Sequence, residues 1–299
     1  MLCYPEKPAN SPEIELYLAL AQIKDGSNLQ AGLAQLAGLI GKYRPAQAGF
    51  YSGLGEGYRA AGDLAQAVPC FEEATRRAPD SKIVWLQLGN TLMESGQWVK
   101  AEAALRHAKT LRPDDAAAWE IVGWALWQQD KASEAKAALE TAVKLDPDLP
   151  DARNYLGSLL MATSDAKPAE REFREAVKIN PGVAEYRAKL AALLASRGAL
   201  QEAAYDAKAA AEAAPDLASA RLLFGQLLLA GGDSSGGIRK LETAIRLKPD
   251  SGRAHYELGV ALARSGNRAG AIEHLKLAAQ GPDADARAAA QQVLRSLGQ

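Results

Sequence analysis

Residues 48–79 read AGFYSGLGEGYRAAGDLAQAVPCFEEATRRAP. Tyr51, Leu54, Gly55 and Tyr58 fall on one stripe of a helix. Ala67, Phe71 and Ala74 fall on one stripe of a second, and Gly62 between them can close the first helix. The stretch ends on Pro79, which cannot continue a helix. That proline belongs to a series, Pro45, Pro79, Pro113, Pro147, Pro181, Pro215 and Pro249, each 34 residues after the last, with Pro282 one residue early. A period of 34 fits a helix, a tight turn and a second helix ended by proline.

With proline as position 32, repeats start at Ile14, Ala48, Lys82, Ala116, Pro150, Ala184, Ala218 and Gly252. Position 8 is then Gly or Ala throughout, from Ala21 and Gly55 to Ala191, Gly225 and Gly259, as a close approach of paired helices requires. Position 27 is Ala in the last seven repeats, from Ala74 to Ala278. Position 15 (Asn28, Gly62, Gly96, Asp130, Ser164, Gly198, Gly232, Gly266) mostly tolerates left-handed backbone. At these residues the chain resembles the tetratricopeptide repeat family. The second repeat carries the pattern nearly whole, and Trp85, Leu88, Gly89, Ala101, Leu105 and Trp119, Val122, Gly123, Ala135, Leu139 carry it in the next two.

The resemblance covers residues 12–285. It implies an all-α, right-handed superhelical solenoid of antiparallel helix pairs, first helices lining the concave side. The expected organisation is a disordered lead segment, 1–11, followed by one solenoid over 12–299. Asp283 opens a capping helix, 283–297, over the exposed end of the stack. Three departures carry expectations of their own. The first repeat has Leu33 and Ile40 where small residues are usual, which suits a terminal repeat. The sixth has Ala207 where a large side chain normally fills position 24, so thinner packing is expected there. The seventh has a turn from Gly231 to Gly237 whose glycines weaken its second helix by roughly 1 kcal/mol each, which reads as a loose turn.

Hydrophobic content of 48% with only 6% aromatics favours closely packed helices over sheet. A formal charge of -1, from 35 basic and 36 acidic residues, supplies no field for nucleic acid or an anionic bilayer. No apolar stretch is long enough to cross a membrane, and Met1 to Glu15 carries no basic-then-apolar export pattern. The compartment would be cytoplasmic for a complete chain and exported for a processed one. The oligomeric state is not legible.

Chemistry has little to work with. Cys3 and Cys70 give neither a disulfide framework nor metal spacing; Cys70 reads as a buried thiol and Cys3 as exposed. His107, His255 and His274 read as structural or surface residues, not a ligand set. No phosphate loop, nucleophile elbow or zinc-protease pattern occurs, and the Gly231–Gly237 stretch follows a helix and lacks lysine. The pairs Glu72, Glu73 and Asp114, Asp115 are adjacent, so they splay on a helix or cap a turn. No catalytic residue, metal or cofactor is expected.

A binding function would lie on the first helices. At 100° per residue, positions 4, 7, 8 and 11 point one way and pack, while 2, 5, 9 and 12 point another and line the groove. The central groove residues are Leu86, Asn90, Met93, Glu120, Trp124, Trp127, Asn154, Ser158 and Met161. Exposed Trp and Met beside Asn and Glu combine contact area with hydrogen-bonding register. The competing reading is that superhelical curvature buries Trp124 and Trp127. Trp85, Trp98 and Trp119 are assigned to the core. The carboxylate clamp of some family members needs Lys and Asn residues that no three successive repeats supply: Asn90 follows Leu86, and the next position 6 is Ile121. The expected partner is a protein or peptide offering an apolar, extended or helical segment. Two alternatives remain. One is a self-stacking spacer, against which the polar cap residues Gln291, Gln292, Arg295 and Gln299 argue. The other is the non-catalytic part of a larger enzyme.

Overall fold

A computed structural model describes residues 11–26, 28–163 and 165–298. Cys3, Ser164, Gln299 and the lead segment up to residue 10 lie outside the described residues. Seventeen helices and no strand are found among those described. The chain forms two compact units, Met1–Ala152 and Arg153–Gln299.

The first compact unit contains α1 (Pro12–Asp25), α2 (Leu29–Tyr43), α3 (Ala48–Ala60), α4 (Leu64–Arg77), α5 (Lys82–Glu94), α6 (Trp98–Leu111), α7 (Ala116–Trp127) and α8 (Ala132–Leu145). Helix α9 (Pro150–Ala162) runs from the last residues of the first unit into the second, which contains α10 (Ala166–Ile179), α11 (Ala184–Ser196), α12 (Leu200–Ala213), α13 (Ala218–Ala230), α14 (Ser234–Leu247), α15 (Gly252–Arg264), α16 (Arg268–Gln280) and α17 (Ala284–Ser296). From the second repeat onward every first helix begins on the residue the proline register names.

The local chemistry of the boundaries repeats too. The residue before each proline is forced out of helical backbone: Ala78, Arg112, Asn180, Ala214 and Lys248 have φ between -129° and -144° with positive ψ. Asp63, Asp115, Asp233, Ser251, Asn267 and Asp283 cap the following helices by accepting their free backbone N–H groups. Position 15 is left-handed at Gly62, Gly96, Gly198, Gly232, Gly266 and even Asp130, with φ of 58°. The first repeat differs. Gly26 takes the left-handed conformation at φ 69° and closes α1 early, leaving Asn28 at φ -150° as the N-cap of α2.

Close packing within hairpins rests on position 8 meeting position 24. A Cβ on Gly123 would stand 2.6 Å from Leu139 Cγ, and one on Gly259 2.7 Å from Leu275 Cγ. Phe71, Leu105, Leu139, Phe173, Leu241 and Leu275 are all fully buried in this role. In the sixth repeat the two sizes change together: Ala191 faces Ala207, and both have zero exposure. The usual glycine is here one methyl larger and the usual large side chain is reduced to alanine, so the exchange offsets part of the volume lost. In the turn of the seventh repeat the helix cap is made. Asp233 Oδ1 accepts from Gly236 N at 2.8 Å, and Gly237 lies where a Cβ would stand 2.6 Å from Leu229 Cγ. Gly237 serves a close helix contact, and Gly232 supplies the left-handed turn.

Between successive second helices the ties are ionic and keep one register. Arg106 bridges Glu102 (2.7 Å) and Glu134 (3.2 Å) in the first compact unit. Arg174 bridges Glu170 (2.9 Å) and Glu202 (2.7 Å) in the second. Glu102 is buried, which alone would raise its pKa, but hydrogen bonds from Lys131, Arg106 and Gln129 bring it down to about 2.

Candidate functional site

The surface built from the groove positions lies, in the first compact unit, on α5 and α7. Leu86, Asn90 and Met93 are spaced i, i+4 and i+7 on α5, and Glu120, Trp124 and Trp127 repeat that spacing on α7, so each trio forms one stripe. All six are half-buried. The lower edge of Met93 packs on the cluster of Phe71, Leu88, Leu92 and Ala101. At position 2 the stripe opens to solvent, and Ile83 is 64% exposed.

Trp98, assigned to the core from sequence, is half-buried at the first residue of α6, and its ring meets Trp124 edge to face, centroids 5.5 Å apart at 72°. Such a contact fixes the Trp124 ring while leaving part of its surface open. Sequence reasoning missed Trp98 because it was read from its own helix alone. Trp85 packs against the core cluster of Phe71, Leu88 and Leu92 without being fully buried, and Trp119 is likewise only partly covered. Each is half-buried, and its indole N–H donates to a proline carbonyl of the preceding repeat, Pro79 O at 2.7 Å and Pro113 O at 2.9 Å.

Glu120 is the one strongly shifted group on this surface. Burial, and then the negative charge of Asp151, push its carboxyl up to about 7. Nearby, Gln87 Nε2 donates to Glu56 while its buried Oε1 has no hydrogen-bond partner, and Arg59 stands 3.9 Å from Glu94.

The remaining predicted residues belong to the second compact unit, and two require correction. Asn154 is 1% and Ser158 6% exposed, so neither offers a side chain to a ligand. Ser158 Oγ donates to Asn154 O at 2.8 Å, a bond within its own helix. Met161 is exposed at 41%. The reason lies in the buried arc of the first helices, which is wider than a hairpin contact requires. Positions 3 and 10 are buried throughout, at Phe50, Val84 and Ala118 and at Gly57, Thr91 and Ala125 in the first unit, and at Tyr186 and Leu193 in the second. First helices also pack on neighbouring first helices, α3 on α5 and α5 on α7 in the first unit and α11 on α13 and α13 on α15 in the second. The sequence held that signal, since positions 3 and 10 carry no charge in repeats two to eight.

Other candidate groups resolve simply. Cys70 is half-buried, and burial pushes its thiol up to about 11, away from thiolate chemistry. Glu73 pairs with Arg76 and Arg77, and Asp115 caps α7 and binds Lys82. Among the described residues no helix is long and apolar enough to cross a membrane.

Comparison with known proteins agrees with the repeat geometry. A search of the curated proteins finds no match. Among solved structures, the Cut9-Hcn1 hetero-tetramer of APC/C gives a TM-score of 0.68 at 15% identity, over 93% of this chain and 55% of that one. This chain thus spans about half the length of that relative. The pilF protein of Pseudomonas aeruginosa gives 0.62 at 21% identity, over 69% and 94% of the two chains. A thermophilic TPR protein of Thermus thermophilus gives 0.52 at 21%, over 61% and 99%. At these identities the likeness shows the fold. Residues 15–224 match the family model described as the cilia and flagella-associated protein 70 C-terminal domain, and residues 222–289 match a tetratricopeptide repeat model. The chain belongs to the tetratricopeptide repeat family.

Proposed function

We propose that this chain is a non-catalytic interaction scaffold that holds an apolar segment of a partner protein against α5 and α7. Tetratricopeptide arrays serve generally as protein-interaction scaffolds, and the fold is typically non-catalytic. The finer reading rests on one observation above others. Trp124 is held edge-on by Trp98 beside Trp127, Met93 and Leu86, all half-exposed, with Asn90 and Glu120 the only polar groups among them. Large rigid rings with part of their area open are the residues on which binding energy concentrates, and an amide and a carboxyl supply register. The ligand that fits is an extended strand or a helix with an apolar edge.

A displayed library of random peptides, selected on the full chain, tests this. Binders should carry large apolar residues and lose capture on the Trp127→Ala variant, whose circular dichroism and melting should stay near the parent. Binders that keep their affinity for that variant, or a variant that unfolds together with Trp127→Phe, would sink the assignment.

A further inference from the structure

In the second compact unit, position 4 of a repeat meets position 23 of the same repeat, 19 residues on, across the hairpin. Arg153 donates to Glu172 at 2.7 Å between α9 and α10. Arg187 donates to Asp206 at 2.7 Å between α11 and α12. Between α13 and α14 the same register reads Arg221 and Lys240. The arginine is kept, and the carboxylate has become a second cation.

Arg153 and Arg187 give Nη1 to their carboxylates, and the Arg221 guanidinium is less well satisfied at Nε too. Arg187 Nε donates to Pro181 O at 2.9 Å, whereas Arg221 Nε is buried and has no hydrogen-bond partner. Lys240 cannot supply one, since an ammonium only donates; it lies over the Phe224 ring, 5.6 Å from the centroid. A buried donor on a cation without an acceptor is an unfavourable arrangement that native proteins rarely leave standing. The local sequence leans the same way: residues 239 to 248 carry Arg239, Lys240, Arg246 and Lys248 with Glu242 as the one acid, and Asp233 lies near Arg239.

We propose that the α13–α14 hairpin binds a carboxylate from outside the chain, seated where Glu172 and Asp206 sit in the two preceding repeats. The guanidinium of Arg221 holds it by paired N–H donors, and Lys240 swings from Phe224 to supply the second charge. A carboxylate is the class that fits, because carboxylates fill the equivalent place beside Arg153 and Arg187. The inference does not depend on the α5–α7 surface, which lies in the other compact unit.

The test uses the full chain, with succinate and an acetylated, amidated triglutamate peptide as probes and sodium chloride at matched ionic strength as control. Melting temperature and calorimetric titration are the readouts. Either probe should raise the melting temperature by ~2 °C or more beyond chloride. Succinate alone doing so assigns a small-molecule source, and the peptide alone a polypeptide side chain. Lys240→Glu, which restores the Arg–Glu pair internally, should raise the melting temperature without ligand and abolish both responses. Arg221→Gln should abolish them too, and Arg246→Gln should keep them. The proposal is overturned if the probes act no more strongly than chloride, if inorganic phosphate acts as strongly as they do, or if the response survives Lys240→Glu.

Discussion

His255 Nδ1 and His274 Nδ1 stand 2.9 Å apart across the α15–α16 hairpin, in the register that elsewhere joins Arg153 to Glu172. His255 Nε2 lies 3.0 Å from Pro249 O, and a carbonyl only accepts, so that nitrogen carries the proton. The neutral His255 Nδ1 is then an acceptor, and His274 Nδ1–H donates to it. A second positive charge would put two N–H groups face to face.

The pair makes stability depend on pH. Burial, and then the nearness of His255, hold His274 below its ordinary pKa of 6.5, against the opposing charges of Glu273 and Glu242. A histidine depressed in the fold contributes stability that is complete above its unfolded value and is lost as pH falls through the folded one. The melting temperature of the parent should drop on going from pH 7 to pH 5, and by less in His274→Gln, whose amide can still donate to His255. Parallel pH curves for the two proteins would refute the pairing.

The exchange of sizes in the sixth repeat gives a double-mutant cycle. Ala207→Leu alone places a leucine against Ala191 where other repeats offer glycine, and overpacking of that kind costs ~1–3 kcal/mol. Ala191→Gly with Ala207→Leu should recover most of the loss, which urea unfolding followed by circular dichroism would measure. Additive effects would mean that the two residues do not share one space.

Glu120 should respond to alkali. Its carboxyl is raised from 4.5 to about 7 in the fold, so its contribution is complete below 4.5 and is lost as pH rises through 7. Glu120→Gln removes that charge. The variant should melt near the parent at pH 5 and gain on it by on the order of 2 kcal/mol by pH 8.5. A gap of constant size across that range would show that Glu120 is not held in its neutral form.

The sequence carried the architecture because proline, glycine and alanine act locally: Pro113 ends α6 and Gly123 admits Leu139 whatever the rest of the chain does. What it carried poorly were relations between helices. Asn154 and Ser158 look like groove residues on a wheel of one helix, yet both are buried. Trp98 sits in one hairpin and touches Trp124 of the next. His255 and His274 meet through a 19-residue register that becomes visible only once Arg153–Glu172 and Arg187–Asp206 are seen beside them. The joint change at Ala191 and Ala207 is legible in the sequence as a change at two paired positions of the repeat.

The central claim is that a partner segment binds over Trp124. Its most direct test is isothermal titration of a library-selected peptide against the parent, Trp124→Ala and, as a control on another face, Tyr205→Ala, which removes a ring that is 70% exposed. Affinity should fall at least ~10-fold for Trp124→Ala, the loss of about 1.4 kcal/mol or more expected of a hot-spot residue, with unchanged melting, and should be unaffected by Tyr205→Ala. Equal affinity for parent and Trp124→Ala, or a loss confined to Tyr205→Ala, would contradict it.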